Sequence, residues 1–164
     1  MTSFICRTGA TALILTIALT VNACSSTKGT PAVDAKQASD QMQSLVRDTM
    51  KAAGGEWKST SNGPAADPCT MPDGNEGVWF SWNQIADGTS NPAAVTERVD
   101  RTWRDQGLAT QDHKYKRADG ETLHRVGSAE REVDSIQFNA TTDQMSINVQ
   151  SLCGAGNVDE FPVP

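Results

Sequence analysis

The sequence predicts an α+β domain, a two-layer sandwich with two helices on one face of an antiparallel sheet of about five or six strands, in the order αββαββββ. Three patterns predict it. Two segments repeat apolar residues at helical spacing, the chain around and after them switches to period two, and the period-two segments are joined by hairpin-type turns. Helices and strands that are apolar on one side only must bury those sides against each other.

Asp34 is placed as an N-cap, with Gln37 three residues on in a capping-box arrangement. Ala38, Met42, Leu45, Thr49 and Ala53 then recur at helical spacing beside Val46 and Met50, and Gly54-Gly55 supplies the stop. Glu56 to Thr60 reads as a short strand. The stretch from Asn62 to Glu76, rich in Gly, Pro and Asp, reads as a loop that carries Cys69. Gly77 to Ile85 follows as a longer strand, with Val78, Phe80 and Trp82 on one face and Trp79, Ser81 and Asn83 on the other, until Asp87-Gly88 breaks it. The second helix has the strongest signals. Asn91 caps it, Pro92 takes its first position, Val95, Val99, Thr102 and Trp103 form the inner stripe, and Gly107 ends it with Leu108 folding back on Trp103.

Two hairpins complete the domain. Ala109 to Arg117 and Glu121 to Gly127 flank Asp119-Gly120; Val133 to Ala140 and Gln144 to Cys153 flank Thr141-Thr142-Asp143. In the second hairpin Ile136, Phe138 and Ala140 are expected to face Val149, Ile147 and Met145. That leaves Gln137, Asn139, Ser146, Asn148 and Gln150 on the other side, the pattern of a sheet with one buried face. From Gly154 to Pro164 the chain reads as a tail.

The first residues belong to a different device. Arg7 is the only charge before Lys28, and an apolar run from Ala10 leads to Val21-Asn22-Ala23-Cys24. A short basic region, an apolar stretch and a small-residue exit are the parts of a secretory signal, and the run is shorter than the roughly 20 residues that span a bilayer. The exit resembles the lipobox of bacterial lipoproteins, whose cysteine receives a diacylglyceryl group. Asn22 departs from the small residue preferred there, and Val21-x-Ala23 also suits the ordinary signal peptidase. The cysteine count favours lipid. Cys6 leaves with the signal, and of Cys24, Cys69 and Cys153 one is spare. With Cys24 lipidated, Cys69 and Cys153 pair in a compartment that permits disulfides, and two acyl chains, a palmitate among them, hold where one is marginal. The expected organisation is a signal peptide over 1–23, a lipidated flexible stalk over 24–33, one α+β domain over 34–153 and a tail over 154–164. The protein is expected on the extracytoplasmic face of the cell membrane, held by lipid on Cys24.

Lys and Arg number 14 against 20 Asp and Glu, a net charge of −6. That balance argues against nucleic acid as a partner.

An N-terminal helix, Trp57 soon after it, Cys69, a helix ending Trp103-Arg104-Asp105-Gln106-Gly107 and a terminal-strand Cys153 are together similar to small actinobacterial cell-envelope lipoproteins of unassigned activity. The resemblance covers most of Asp34 to Cys153. It implies a fold and a compartment, and it carries no functional residue over.

The residues themselves offer little chemistry. A two-residue turn at Asp119-Gly120 sets Tyr115 opposite His124 and His113 opposite Val126, so both histidines share a sheet face with Cβ atoms roughly 7–8 Å apart. A metal would need a carboxylate beside them, and ordinary strand positions are expected instead, with no metal and no cofactor. No serine sits in Gly-x-Ser-x-Gly or Ser-x-x-Lys. Acid pairs such as Glu130 with Glu132, or Glu132 with Asp134, read as solvated. The expectation is a non-catalytic binding or interaction module of the envelope, with a metal-dependent or hydrolytic envelope enzyme as the alternative. Of the four tryptophans, Trp103 and Trp82 read as core, while Trp79 and Trp57 form the candidate binding surface for an envelope protein, peptide or glycan.

Overall fold

In the computed structural model, which describes residues 33–129 and 132–161, the Asp34 carboxylate accepts the Gln37 N–H at 2.7 Å and starts α1 (Ala35–Ala53). Gly54, at φ 73°, turns the chain away after it. The signal peptide, Cys24, the stalk as far as residue 32, and Glu130 lie outside the described residues.

After α1 come β1 (Trp57–Ser59), β2 (Ala65–Thr70) and β3 (Glu76–Asp87), then α2 (Pro92–Asp105). Next are β4 (Thr110–Lys116), β5 (Thr122–Ala129), β6 (Val133–Ala140), β7 (Gln144–Ser151) and β8 (Gly154–Ala155), with a 3-10 turn over Val158–Glu160. α2 is capped as expected, by Asn91 accepting the Ala94 N–H, and ends in a full Schellman motif. Leu108 N–H donates to Trp103 O and Gly107 N–H to Arg104 O, and both Leu108 and Trp103 enter the core.

The strands form one antiparallel sheet of eight, ordered β1-β3-β7-β6-β5-β4. β2 shares one edge of β3 with β1, and β8 shares the opposite edge with β7. The α+β class therefore holds, and the count of five or six strands does not. The two extra strands are β2 and β8. β2 lies where the chain reads as loop, because Asp67 and Pro68 are poor strand residues; at the sheet edge proline is tolerated. β8 is two residues long and carries no periodic signal.

From Gly154 to Phe161 the chain is likewise part of the domain rather than a tail. Gly154–Ala155 pairs with Gly77–Val78, Ala155 N–H donates to Val33 O at 2.9 Å, and the Phe161 ring meets Phe80 edge-on at 5.0 Å. The Cys69–Cys153 disulfide, with Cα atoms 6.0 Å apart, links β2 to the β7–β8 connection. It passes over Gly77, where a Cβ would lie 2.8 Å from Cys153 Sγ, so only glycine fits beneath the bond.

Both helices lie on one face of the sheet. Met42, Leu45 and Val46 from α1 and Val95, Val99 and Trp103 from α2 close on the apolar face of β3 and β5–β7. The β6–β7 register is the one read from alternation, with Ile136 opposite Val149, Phe138 opposite Ile147 and Ala140 opposite Met145.

The β4–β5 register differs. Lys116 pairs with Thr122, and the turn is closed by Arg117 N–H to Glu121 O and Gly120 N–H to Arg117 O, with Gly120 at φ 89°. A turn one residue longer than the two-residue form moves His113 opposite Arg125 and His124 opposite Lys114. Because side chains alternate with period two, this slip of one residue puts the histidines on opposite faces. The shared-face pair does not exist.

Candidate functional site

Every strand of the sheet has two sides, and the helices cover only one. On the uncovered side the open-face positions line up across the strands. Ser81 on β3 stands beside Gln150 on β7 and Ser135 on β6; Asn83 stands beside Asn148, then Gln137, then Gly127 and Gln111. These rows floor a cleft of about 780 Å³ that crosses from β3 to β4, with Trp79 at one corner and Arg125 with His113 at the diagonally opposite one. Gly127 has no side chain between Gln137 and Gln111, and a Cβ there would meet nothing nearer than Ile136 O at 3.7 Å. The trough is thus open by side-chain size, with no close backbone approach or positive φ behind it.

Trp79 is half-buried and differs from the other three tryptophans. Trp57 Nε1 donates to Gly54 O at 2.9 Å, Trp82 Nε1 to Ser59 Oγ at 2.8 Å, and Trp103 Nε1 to Thr49 Oγ1 at 2.8 Å. Among the described residues the Trp79 indole N–H has no acceptor. The five amides Asn83, Gln111, Gln137, Asn148 and Gln150 likewise make no side-chain hydrogen bond to another described residue. Their donors and acceptors are free for a guest.

The far corner is built differently. Arg125 Nε donates to Asn139 Oδ1 at 2.7 Å, and Asn139 Nδ2 donates in turn to Ser146 Oγ at 3.1 Å. The guanidinium lies over the Tyr115 ring at 5.2 Å, with the His113 ring 5.9 Å from Tyr115. Three strands therefore fix one cation, and neither terminal amino group of Arg125 has an acceptor among the described residues.

The structure separates the two tryptophans read as one surface. Trp57 pairs with Ala86 on the helix side and packs its ring against Phe138 at 6.4 Å, so it is a core-edge residue remote from the cleft. Trp79 stays on the open face. Arg125 and Gly127 were not legible as site residues, since it is the β5–β6 pairing, which sets Arg125 opposite Asn139 and Gly127 opposite Gln137, that puts them in the cleft. His124 lines a smaller cavity of about 270 Å³ near Asp100 and Asp112, whose rim His113 and Arg125 also reach from the neighbouring positions of β4 and β5. Burial, and then the Lys114 charge, hold its imidazole below the ordinary histidine range. Among the described residues no three His, Cys, Asp or Glu side chains cluster as metal ligands, and no helix is long and apolar enough to cross a membrane.

No protein-family model matches this chain, and no curated protein does. A solved structure matches it at a TM-score of 0.56 and 17% sequence identity, over 80% of this chain and 77% of the other. That structure is a DUF4853 family protein from Actinomyces odontolyticus, with which this chain shares a fold.

Proposed function

We propose that this protein is a non-catalytic binding module of the cell envelope, held outside the membrane by lipid on Cys24, whose ligand lies in the open-face cleft. The indole N–H of Trp79, without an acceptor among the described residues and at the corner of a cleft whose amide side chains likewise have no described partner, carries the reading. An indole offers flat apolar area with one donor, and at Trp79, unlike the other three tryptophans, that donor is left open to solvent or a ligand rather than tied to a described acceptor. A volume of about 780 Å³ is in the range of small-ligand clefts. The anchor is supported by the Val21–Cys24 pattern and by the disulfide, which leaves Cys24 as the spare cysteine of the exported chain. The separation of His113 from His124 weakens the metal-enzyme alternative.

One set of variants tests both halves. Full-length protein should sediment with membranes, and Cys24→Ala should not. Of the soluble domain variants, Gly127→Leu fills the trough and Trp79→Ala removes its platform. Each should weaken capture of purified envelope polymers by about tenfold or more while leaving the melting temperature within a few degrees. Binding that survives both substitutions would refute the cleft.

A further inference from the structure

We infer that the occupant of this cleft is an anionic glycan strand, its sugar rings stacked on Trp79 and a carboxylate seated on Arg125. The inference rests on the binding-module reading above and narrows it to one class of ligand. Charge is the first argument. The protein carries 20 acidic residues and a net charge of −6, yet among the described residues lining the cleft there is no Asp or Glu. A described lining without carboxylates, with Arg125 as its fixed charge and Asp67 held outside it on β2 across from Trp79, leaves a local field that favours an anion at the Arg125 corner.

The built cation is the second. Nε of Arg125 is tied to Asn139 and its plane lies over Tyr115. The guanidinium is thereby oriented in advance, with both terminal amino groups left to bind a carboxylate in a forked pair. No described carboxylate forms an ion pair with it.

The third argument separates a glycan from a peptide. Extended peptides bind sheets along an edge, where backbone N–H and C=O groups are free. This cleft lies on the face of the sheet and crosses β3, β7, β6 and β5, whose backbone groups are occupied by their neighbours. Only side chains are offered, and five of them are amides, each able to donate and accept at once. Hydroxyl-rich sugars match that pattern along their whole length. Trp79 and Arg125 are three strand spacings and about six residues apart, on the order of 20–25 Å on a flat sheet. The occupant is therefore an oligomer of several rings.

The experiment uses peptide-free peptidoglycan glycan strands, the same strands with carboxyls reduced to alcohols, and a polyglutamate peptide. Binding to the full domain is followed by tryptophan fluorescence and calorimetry. Wild type should bind the carboxylated strands about tenfold more tightly than the reduced ones, and added salt should erase the difference. Arg125→Gln should bind both strands equally, Arg125→Lys should recover part of the preference, and Gly127→Leu should lose both. Equal binding of the two strands by wild type would overturn the anion claim while leaving the cleft intact. Cleft-dependent binding of polyglutamate without the glycan would overturn the glycan claim. Failure of every probe to respond to Gly127→Leu would overturn the binding-module reading itself.

Discussion

Trp79 and Trp103 are chemically alike, and their surroundings give them opposite duties. Trp103 is 0% exposed, sits between the helices and the sheet, and donates to Thr49 Oγ1, whose own hydroxyl proton goes to Leu45 O. Truncating it leaves a cavity and takes from buried Thr49 Oγ1 the one donor it accepts from, its own bond to Leu45 O remaining. Trp79 has neither full burial nor a hydrogen bond to lose. Trp103→Ala is expected to cost roughly 3–5 kcal/mol and Trp79→Ala about 1 kcal/mol or less, measured by denaturant unfolding. If the two proved equally destabilising, Trp79 would be a structural residue and the cleft would lose its platform. Alternation alone assigned Trp79 to the face opposite Val78 and Phe80, so this much was legible in the sequence. The same logic could not place Trp57, because a three-residue strand has too few positions to reveal which side is buried.

At the scale of elements, hairpins show where pattern reading succeeds and where it stops. β6–β7 alternates cleanly, and its register follows from the apolar residues alone. β4 is polar and exposed almost throughout, with no apolar stripe to betray its register, so the turn decides it. There Gly120 accommodates one extra residue, with the consequences for His113 and His124 described above. Turns also join elements to each other. Glu121, at the end of the β4–β5 turn, accepts the N–H and hydroxyl of Thr142 in the β6–β7 turn, and the Thr142 hydroxyl holds the Glu121 carboxyl below its ordinary range. On the other side of that turn Gly88 N–H donates to Asp143 O at 2.9 Å. A Cβ at Gly88 would stand 2.0 Å from Thr142 O, which is backbone and cannot swing aside. Gly88→Ala is accordingly expected to destabilise the domain by about 1–3 kcal/mol, read as a lowered midpoint in urea. An unchanged midpoint would show that the β3–α2 connection and the β6–β7 turn can move apart at little cost.

Across the whole molecule, the two layers divide the labour. Helices and apolar strand faces make the core; the opposite sheet face carries the polar side chains that floor the open cleft. The layer architecture was legible because both helices and most strands carry their own periodicity and caps. Parts held only by tertiary contact were not. β2 depends on pairing with β3, and β8 and the segment to Phe161 depend on Gly77, Val33 and Phe80. Such segments have no amphipathic pattern of their own to read, since pairing with β3 and the disulfide hold them rather than a buried stripe.

The Cys69–Cys153 bond has a consequence under load. It spans 84 residues and encloses β3, α2 and β4–β7, leaving α1 and β1 outside. Mechanically the enclosed part is a closed ring, which tension between residues 33 and 161 can rotate or deform but cannot pay out. Under a pulling force the oxidised chain should lengthen only through its flanks. Reduction should add about 280–300 Å of contour, the extended length of the 84 locked residues. Single-molecule extension with and without reductant measures that increment directly, and equal contour lengths would show that the ring is not closed. Every described residue that lines the open-face cleft falls between Cys69 and Cys153, so tension on the chain ends cannot pay out the strands that form it while the bond is intact.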